Sequence, residues 1–100
     1  MDSTTFYRRF VASLPSGTIL QNPGGGTTEI IDYAANDRLV YQRGQSRIYV
    51  SIRDLYAAYR SFSGQTVSST DLREYAPDVF DSKRGGHSCN CTVLFTVATQ

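Results

Sequence analysis

Residues 50–80 read VSIRDLYAAYRSFSGQTVSSTDLREYAPDVF, and this stretch decides the predicted fold. Its apolar side chains recur at steps of three and four, first at Ile52, Leu55, Tyr56, Tyr59 and Phe62, then at Leu72, Tyr75, Ala76, Val79 and Phe80. That spacing places each set on one face of a helix. Ser51 and Ser68 precede the two sets, where a side-chain oxygen can accept from a free backbone N–H group. We therefore expect two short helices, with Gly64 ending the first.

The second of these helices is expected over residues 69–75, with a fresh turn beginning at Pro77 because proline lacks a backbone donor. Two helices joined by a Gly-containing connection are typical of a helix-turn-helix. In that motif the N-terminus of the second helix points into the major groove of DNA. Ser69, Thr70 and Arg73 are therefore candidate DNA contacts. Three acidic side chains in the same segment would repel phosphates, so a helical hairpin without a ligand is the alternative.

Upstream, three short segments have the alternating pattern of strands: residues 28–33, 38–42 and 46–50. Arg43-Gly44-Gln45 is a tight hairpin connection between the last two. Together these segments predict a small antiparallel sheet. Residues 3–14 precede them with helical spacing and predict a first helix.

Basic and aromatic side chains meet at the predicted hairpin tip. Arg43 and Arg47 lie at or near the turn, with Tyr41 and Tyr49 close by. Such a mixture is typical of a surface that follows a phosphate backbone. An ordinary solvated hairpin end is the alternative.

The C-terminal segment combines a polar loop, residues 81–88, with an apolar run, residues 89–97. The loop holds Lys83 and Arg84, the only adjacent basic pair in the second half of the chain. The run alternates Cys89, Cys91, Val93, Phe95 and Val97 with polar or smaller residues, which favours a strand.

If this last strand pairs with residues 65–67, residues 50–98 resemble a winged helix-turn-helix domain. The resemblance rests on the two helices, the basic Gly-containing loop and the final strand. It implies DNA contacts from the second helix and from the loop. Residues 81–88 do not supply the first strand of a wing, and no sequence family is assigned.

The composition limits the domain number and the classes of function that the chain can have. One hundred residues predict a single domain over 1–100, and a formal charge of +1 means that net charge alone does not drive nucleic-acid binding. Nine of the ten basic residues are arginine, and residues 38–60 hold five of them against one acid, Asp54. Arginine suits bidentate contacts with phosphate and guanine. A GC-rich genome is the alternative explanation.

Two features invite an enzymatic or metal-site interpretation and do not support it. Gly24, Gly25 and Gly26 lack the Lys of a phosphate-binding Walker loop and precede a strand instead of a helix. His87, Cys89 and Cys91 have neither zinc-ligand spacing nor a second cluster. We interpret the cysteines as core residues of a reduced, cytoplasmic protein, since no signal peptide or membrane span is evident.

The sequence thus predicts an α+β protein with a small antiparallel sheet and three helices. The expected core residues are Phe6, Phe10, Leu55, Tyr59, Leu72, Phe80, Val93 and Phe95. We expect a non-enzymatic DNA-binding domain, such as the reader module of a restriction or regulatory protein, without cofactor or metal. The predicted contacts are Arg43, Arg47, Ser69, Thr70, Arg73, Lys83 and Arg84. The alternative is a protein-interaction module or small inhibitor acting through a tyrosine-rich surface.

Overall fold

Four strands and five α-helices form the described part of the chain, which in this computed structural model comprises residues 1–35 and 37–98. The strands are β1 (Ile19–Gln21), β2 (Thr27–Ala34), β3 (Arg38–Arg43) and β4 (Ser46–Ser51). The helices are α1 (Ser3–Ser13), α2 (Ile52–Ser61), α3 (Ser69–Tyr75), α4 (Pro77–Phe80) and α5 (Cys89–Ala98), with a 3₁₀ turn at Ser82–Arg84. The α+β class is confirmed. Within the described ranges, no helix is both long and apolar enough to cross a membrane.

The sheet is an antiparallel meander in the order β1-β2-β3-β4. The three longer strands occupy the segments that alternation predicts. Gly44 has φ 58° in the hairpin between β3 and β4, a conformation that glycine adopts without steric cost. Arg43 pairs with Ser46 and Gln42 pairs with Arg47, which sets the register of the hairpin.

The core lies on one face of the sheet, where the buried side chains of the strands meet those of the helices. Leu39 and Tyr41 of β3 and Ile48 of β4 belong to the same buried cluster as α1, α2 and α5 residues. Six of the eight expected core residues are buried: Phe6, Phe10, Leu55, Leu72, Phe80 and Val93. Tyr59 and Phe95 are only half-buried, packing against the edge of that cluster.

The strand predicted over residues 89–97 is wrong, because this segment forms α5. Its buried residues include neighbours in sequence, from Cys89 through Cys91 and at Val93 and Leu94, so they are not confined to alternate positions. A helix that is apolar nearly all round is stable when other elements surround it, and α1, α2 and α4 all pack on α5.

The winged helix-turn-helix resemblance is not confirmed. All strands of the described residues lie between Ile19 and Ser51, so none pairs with residues 65–67. Residues 62–68 separate α2 from α3, a longer connection than the three or four residues of a tight helix-turn-helix turn. The helices number five in the described chain instead of three. The fresh turn expected at Pro77 is present as α4, with Pro77 at its start.

Candidate anion-binding cleft

A cleft of about 480 Å³ opens where five parts of the chain converge: the loop at residues 22–24, the β3–β4 hairpin, the start of α3, the polar loop after α4 and the start of α5. We call it the arginine cleft. The polar side chains that line it include Arg43, Ser69, Arg73, His87 and Ser88. Among the described residues, no acidic side chain lines it. Its surroundings therefore favour an anion.

Arg43 reaches the cleft because of its register in the sheet. It is the last residue of β3 and shares the core-facing side with Tyr41, and its partner Ser46 shares that side with Ile48. Its Nη2 atom lies 3.4 Å from the carbonyl oxygen of Gly25, a long contact that leaves the guanidinium exposed.

Arg47 points the other way. Arg47 pairs with Gln42, the residue that precedes Arg43 in β3. Because successive side chains of a strand lie on opposite faces, Arg47 and Gln42 lie on the face opposite to that of Arg43. The structure thus separates the two arginines that the sequence groups at the hairpin tip. Arg43 lines the cleft, while Arg47 is exposed on the outer face of the sheet together with Tyr49.

The first turn of α3 supplies the second arginine. Ser68 and Asp71 form a capping box: the Ser68 hydroxyl accepts from the Asp71 N–H, and the Asp71 carboxylate accepts from the Ser68 N–H at 2.9 Å. The Asp71 carboxylate is thereby engaged at the helix cap. Arg73 Nη2 donates to Thr70 Oγ1 at 3.0 Å, which restricts the guanidinium beside the cleft. Thr70 itself is exposed and is not among the residues that line the cleft.

The N-terminus of α5 forms another wall. Val79 O accepts from His87 N–H at 3.0 Å and from Asn90 Nδ2 at 2.8 Å, which ties the start of α5 to α4. Asn90 Oδ1 in turn accepts from the buried Tyr41 hydroxyl at 2.7 Å. These bonds hold His87 and Ser88 at the cleft. The partial positive charge of a helix N-terminus adds to that of the two arginines there.

Lys83 and Arg84 lie on the 3₁₀ turn whose first residue, Ser82, lines the cleft. Both are exposed. Arg84 Nε lies 2.9 Å from Asp81 Oδ2, so part of its charge is paired. The Lys83 backbone N–H and then the Arg84 side chain hold the pKa of Asp81 below its ordinary value. The basic pair is thus close to the cleft along the chain, with Lys83 the less engaged of the two.

The floor of the cleft is less polar than its mouth. Ile48, Cys89, Cys91, Thr92 and Phe95 line it, and the first three are buried. Both cysteines are free thiols. Within the described residues, no group of three His, Cys, Asp or Glu side chains could hold a metal ion.

Cys91 should react slowly with alkylating reagents in the folded protein. Burial raises the pKa of its thiol to about 11, against about 8.5 for a free cysteine. Because the thiolate is the nucleophile, we expect alkylation at pH 8 on the order of 100 times slower than in urea, and faster as the pH rises. Iodoacetamide labelling of a Cys89→Ala variant, followed by mass spectrometry, measures it. Equal rates in folded and unfolded protein would contradict the burial of Cys91.

Two walls of the cleft could not be predicted from the sequence. From the sequence, Gly24, Gly25 and Gly26 are weighed only as a Walker-type loop, and His87 only as a metal ligand. In the structure, Asn22 lines the cleft and accepts at Oδ1 from the Thr28 hydroxyl at 3.0 Å. Its buried Nδ2 has no hydrogen-bond partner among the described residues. No linear motif signals this wall, because residues 22–24 and 87–88 meet only through folding.

The cleft brings together Arg43, Ser69 and Arg73 of the predicted contacts, with Lys83 and Arg84 on an adjoining turn and Thr70 behind Arg73. Arg47 is the predicted contact that lies on another face. Comparison with protein-family models, with curated proteins and with solved structures finds no match for this chain.

Proposed function

We propose that this protein is a non-enzymatic DNA-binding domain of the cytoplasm that holds backbone phosphates at the mouth of the arginine cleft. The observation that carries the proposal is the convergence of Arg43 and Arg73, from separate elements, on one cleft whose described lining residues include no acid. Paired arginines and a helix N-terminus are typical of phosphate contacts. Such contacts position a protein on DNA without reading its sequence.

In this proposal, the residues that recognise the DNA sequence lie at the start of α3. Ser69 borders the cleft and Thr70 is exposed beside it, so both hydroxyls are close to a strand whose phosphate occupies the mouth. Lys83 and Arg84 extend the positive surface along the backbone. In this binding mode the N-terminus of α3 approaches the bases, as the second helix of a helix-turn-helix does. The mode requires no wing.

Replacing Arg43 and Arg73 together with alanine should weaken DNA binding and flatten its salt dependence. Each lost phosphate contact removes about 0.9 from the slope of log affinity against log salt, so the double variant should lose about 1.8. Fluorescence anisotropy with a labelled duplex at several salt concentrations measures that slope.

The matched control is Arg38→Ala with Arg47→Ala, which removes the same charge. Both control residues are exposed, and both alternate with the core-facing side chains Leu39 and Ile48. The control should keep the slope of the unmodified protein. Equal losses in both double variants would mean that diffuse charge, and not the cleft, binds DNA. Absence of binding at low salt would refute the proposal itself.

A protein partner is the second candidate, and the outer face of the sheet favours it. Ile19 is 61% exposed and Tyr49 is 51% exposed there, with the Arg38 guanidinium 5.2 Å from the centre of the Tyr49 ring. Tyrosine and arginine are enriched in protein interfaces. A complex of this kind would be insensitive to salt and weakened by Tyr49→Ala, whereas the Arg43 and Arg73 substitutions would leave it intact.

A further inference from the structure

The arginine cleft is larger than a phosphate contact requires. Its volume of about 480 Å³ lies within the range of roughly 300–1,000 Å³ that pockets for small organic ligands occupy. Arg43, Arg73 and His87 can contact an anion, and an anion occupies only the mouth of the cleft. The cleft is also lined by Ile48, Cys91 and Phe95, side chains that suit an uncharged group.

The polar and apolar parts of the cleft lining indicate what kind of ligand would fit it. One end of it is anionic and able to accept hydrogen bonds from arginine and serine, as a phosphate does. The other end is flat or apolar enough to lie on an aromatic ring and aliphatic carbon, with the Thr92 hydroxyl as a polar contact. A nucleotide has both ends, and bases stack on aromatic side chains regardless of sequence.

We propose that the arginine cleft binds one unpaired nucleotide of the DNA, with Arg43 and Arg73 each contacting one of the two phosphates that flank it and its base over Phe95. This rests on the proposed function, since it names the part of the DNA that the same cleft takes. A base inside a duplex is stacked and paired, so it reaches such a cleft only after leaving the helix. Extrusion is least costly for a base that has no partner. The preferred substrate is therefore DNA with a bulged nucleotide.

The test compares three labelled duplexes of one sequence: fully paired, with one extra thymidine, and with one extra abasic residue. The abasic bulge keeps the added phosphate and the flexible backbone but has no base. Stacking of one base on an aromatic side chain should make the thymidine bulge bind about tenfold more tightly than the abasic bulge. Anisotropy titrations at one fixed low salt concentration measure the ratio.

A variant that fills the floor gives a second readout. Thr92→Phe adds an aromatic ring to the half-buried floor position and keeps every cation of the mouth, so the tenfold ratio should fall to about one. Val11→Phe adds a ring on the exposed side of α1 and should keep the ratio. Circular dichroism and the urea midpoint establish whether both variants fold. If Thr92→Phe does not fold, the ratio measured with the unmodified protein decides the proposal.

The outcomes separate this inference from the proposed function. Equal affinity for the thymidine and abasic bulges, with a steep salt dependence retained, would overturn the nucleotide pocket and leave DNA binding in place. A tenfold ratio that Thr92→Phe abolishes would support the pocket. Absence of binding to all three duplexes at low salt would refute DNA binding and the pocket together.

Discussion

Replacing Leu55 with alanine should lower the free energy of unfolding by about 2–5 kcal/mol. Leu55 is fully buried in α2, at the centre of the cluster where that helix packs on α1 and α5. The truncation removes apolar contacts and leaves a cavity that α1 and α5 close only in part. Domains of this size have about 5–15 kcal/mol in total, so the loss is a large share. Urea unfolding followed by circular dichroism measures it.

The control for Leu55 is Val11→Ala, an apolar truncation on the exposed side of α1. Because Val11 is already in contact with water, the free energy of unfolding should change by less than about 0.5 kcal/mol. A shift of the urea midpoint without a change of slope identifies a true loss of stability. If Leu55→Ala behaves like Val11→Ala, the buried face of α2 has been assigned incorrectly.

Replacing Gly86 with alanine should be comparably severe, at about 3 kcal/mol or more. A Cβ atom at Gly86 would lie 2.6 Å from the carbonyl carbon of Val79, 2.7 Å from Pro77 O and 2.8 Å from Phe80 N. All three are backbone atoms of α4, so no side chain can rotate away to make room. The polar loop would have to separate from α4, breaking the bond from His87 N–H to Val79 O. Thermal and urea unfolding measure the effect.

Gly24→Ala is the matched control, because no heavy atom lies within 4 Å of a Cβ built there and its φ is not positive. Its unfolding free energy should change by less than about 0.5 kcal/mol. A mild effect of Gly86→Ala, similar to that of Gly24→Ala, would show that the loop does not pack against α4. The position of His87 and Ser88 at the cleft depends on the same contact, so Gly86→Ala also tests the site.

The hairpin explains why the candidate site could be predicted only in part. Sequence reasoning identifies Arg43 and Arg47 as a basic pair beside aromatic residues, and it identifies Arg73 from its place in α3. It does not resolve which side of the sheet each arginine occupies, because that depends on the register of β3 with β4. The pairing of Arg43 with Ser46 directs Arg43 to the cleft and Arg47 away from it.

The segment 89–97 shows where local pattern misleads. Alternation from Cys89 to Val97 fits the two-residue period of a strand, but short apolar runs do not distinguish strands from buried helices. In the structure Asn90 lies on the buried side, bonded to the Tyr41 hydroxyl and to Val79 O. The two partners lie 49 and 11 residues away along the chain, and a buried amide needs both. Tertiary packing therefore decides the helix.

By itself, the sequence determined the elements whose signals are local: β2, β3 and β4 by alternation and turn residues, α2 by spacing, α3 by spacing and the Ser68 cap, and the break at Pro77 by a missing donor. Each depends on neighbours within a few residues. The helical state of α5 and the arginine cleft were decided only by the tertiary structure. The reason is physical: the free energy that stabilises α5, and the nearness of Arg43 to Arg73, come from contacts between segments that are distant along the chain.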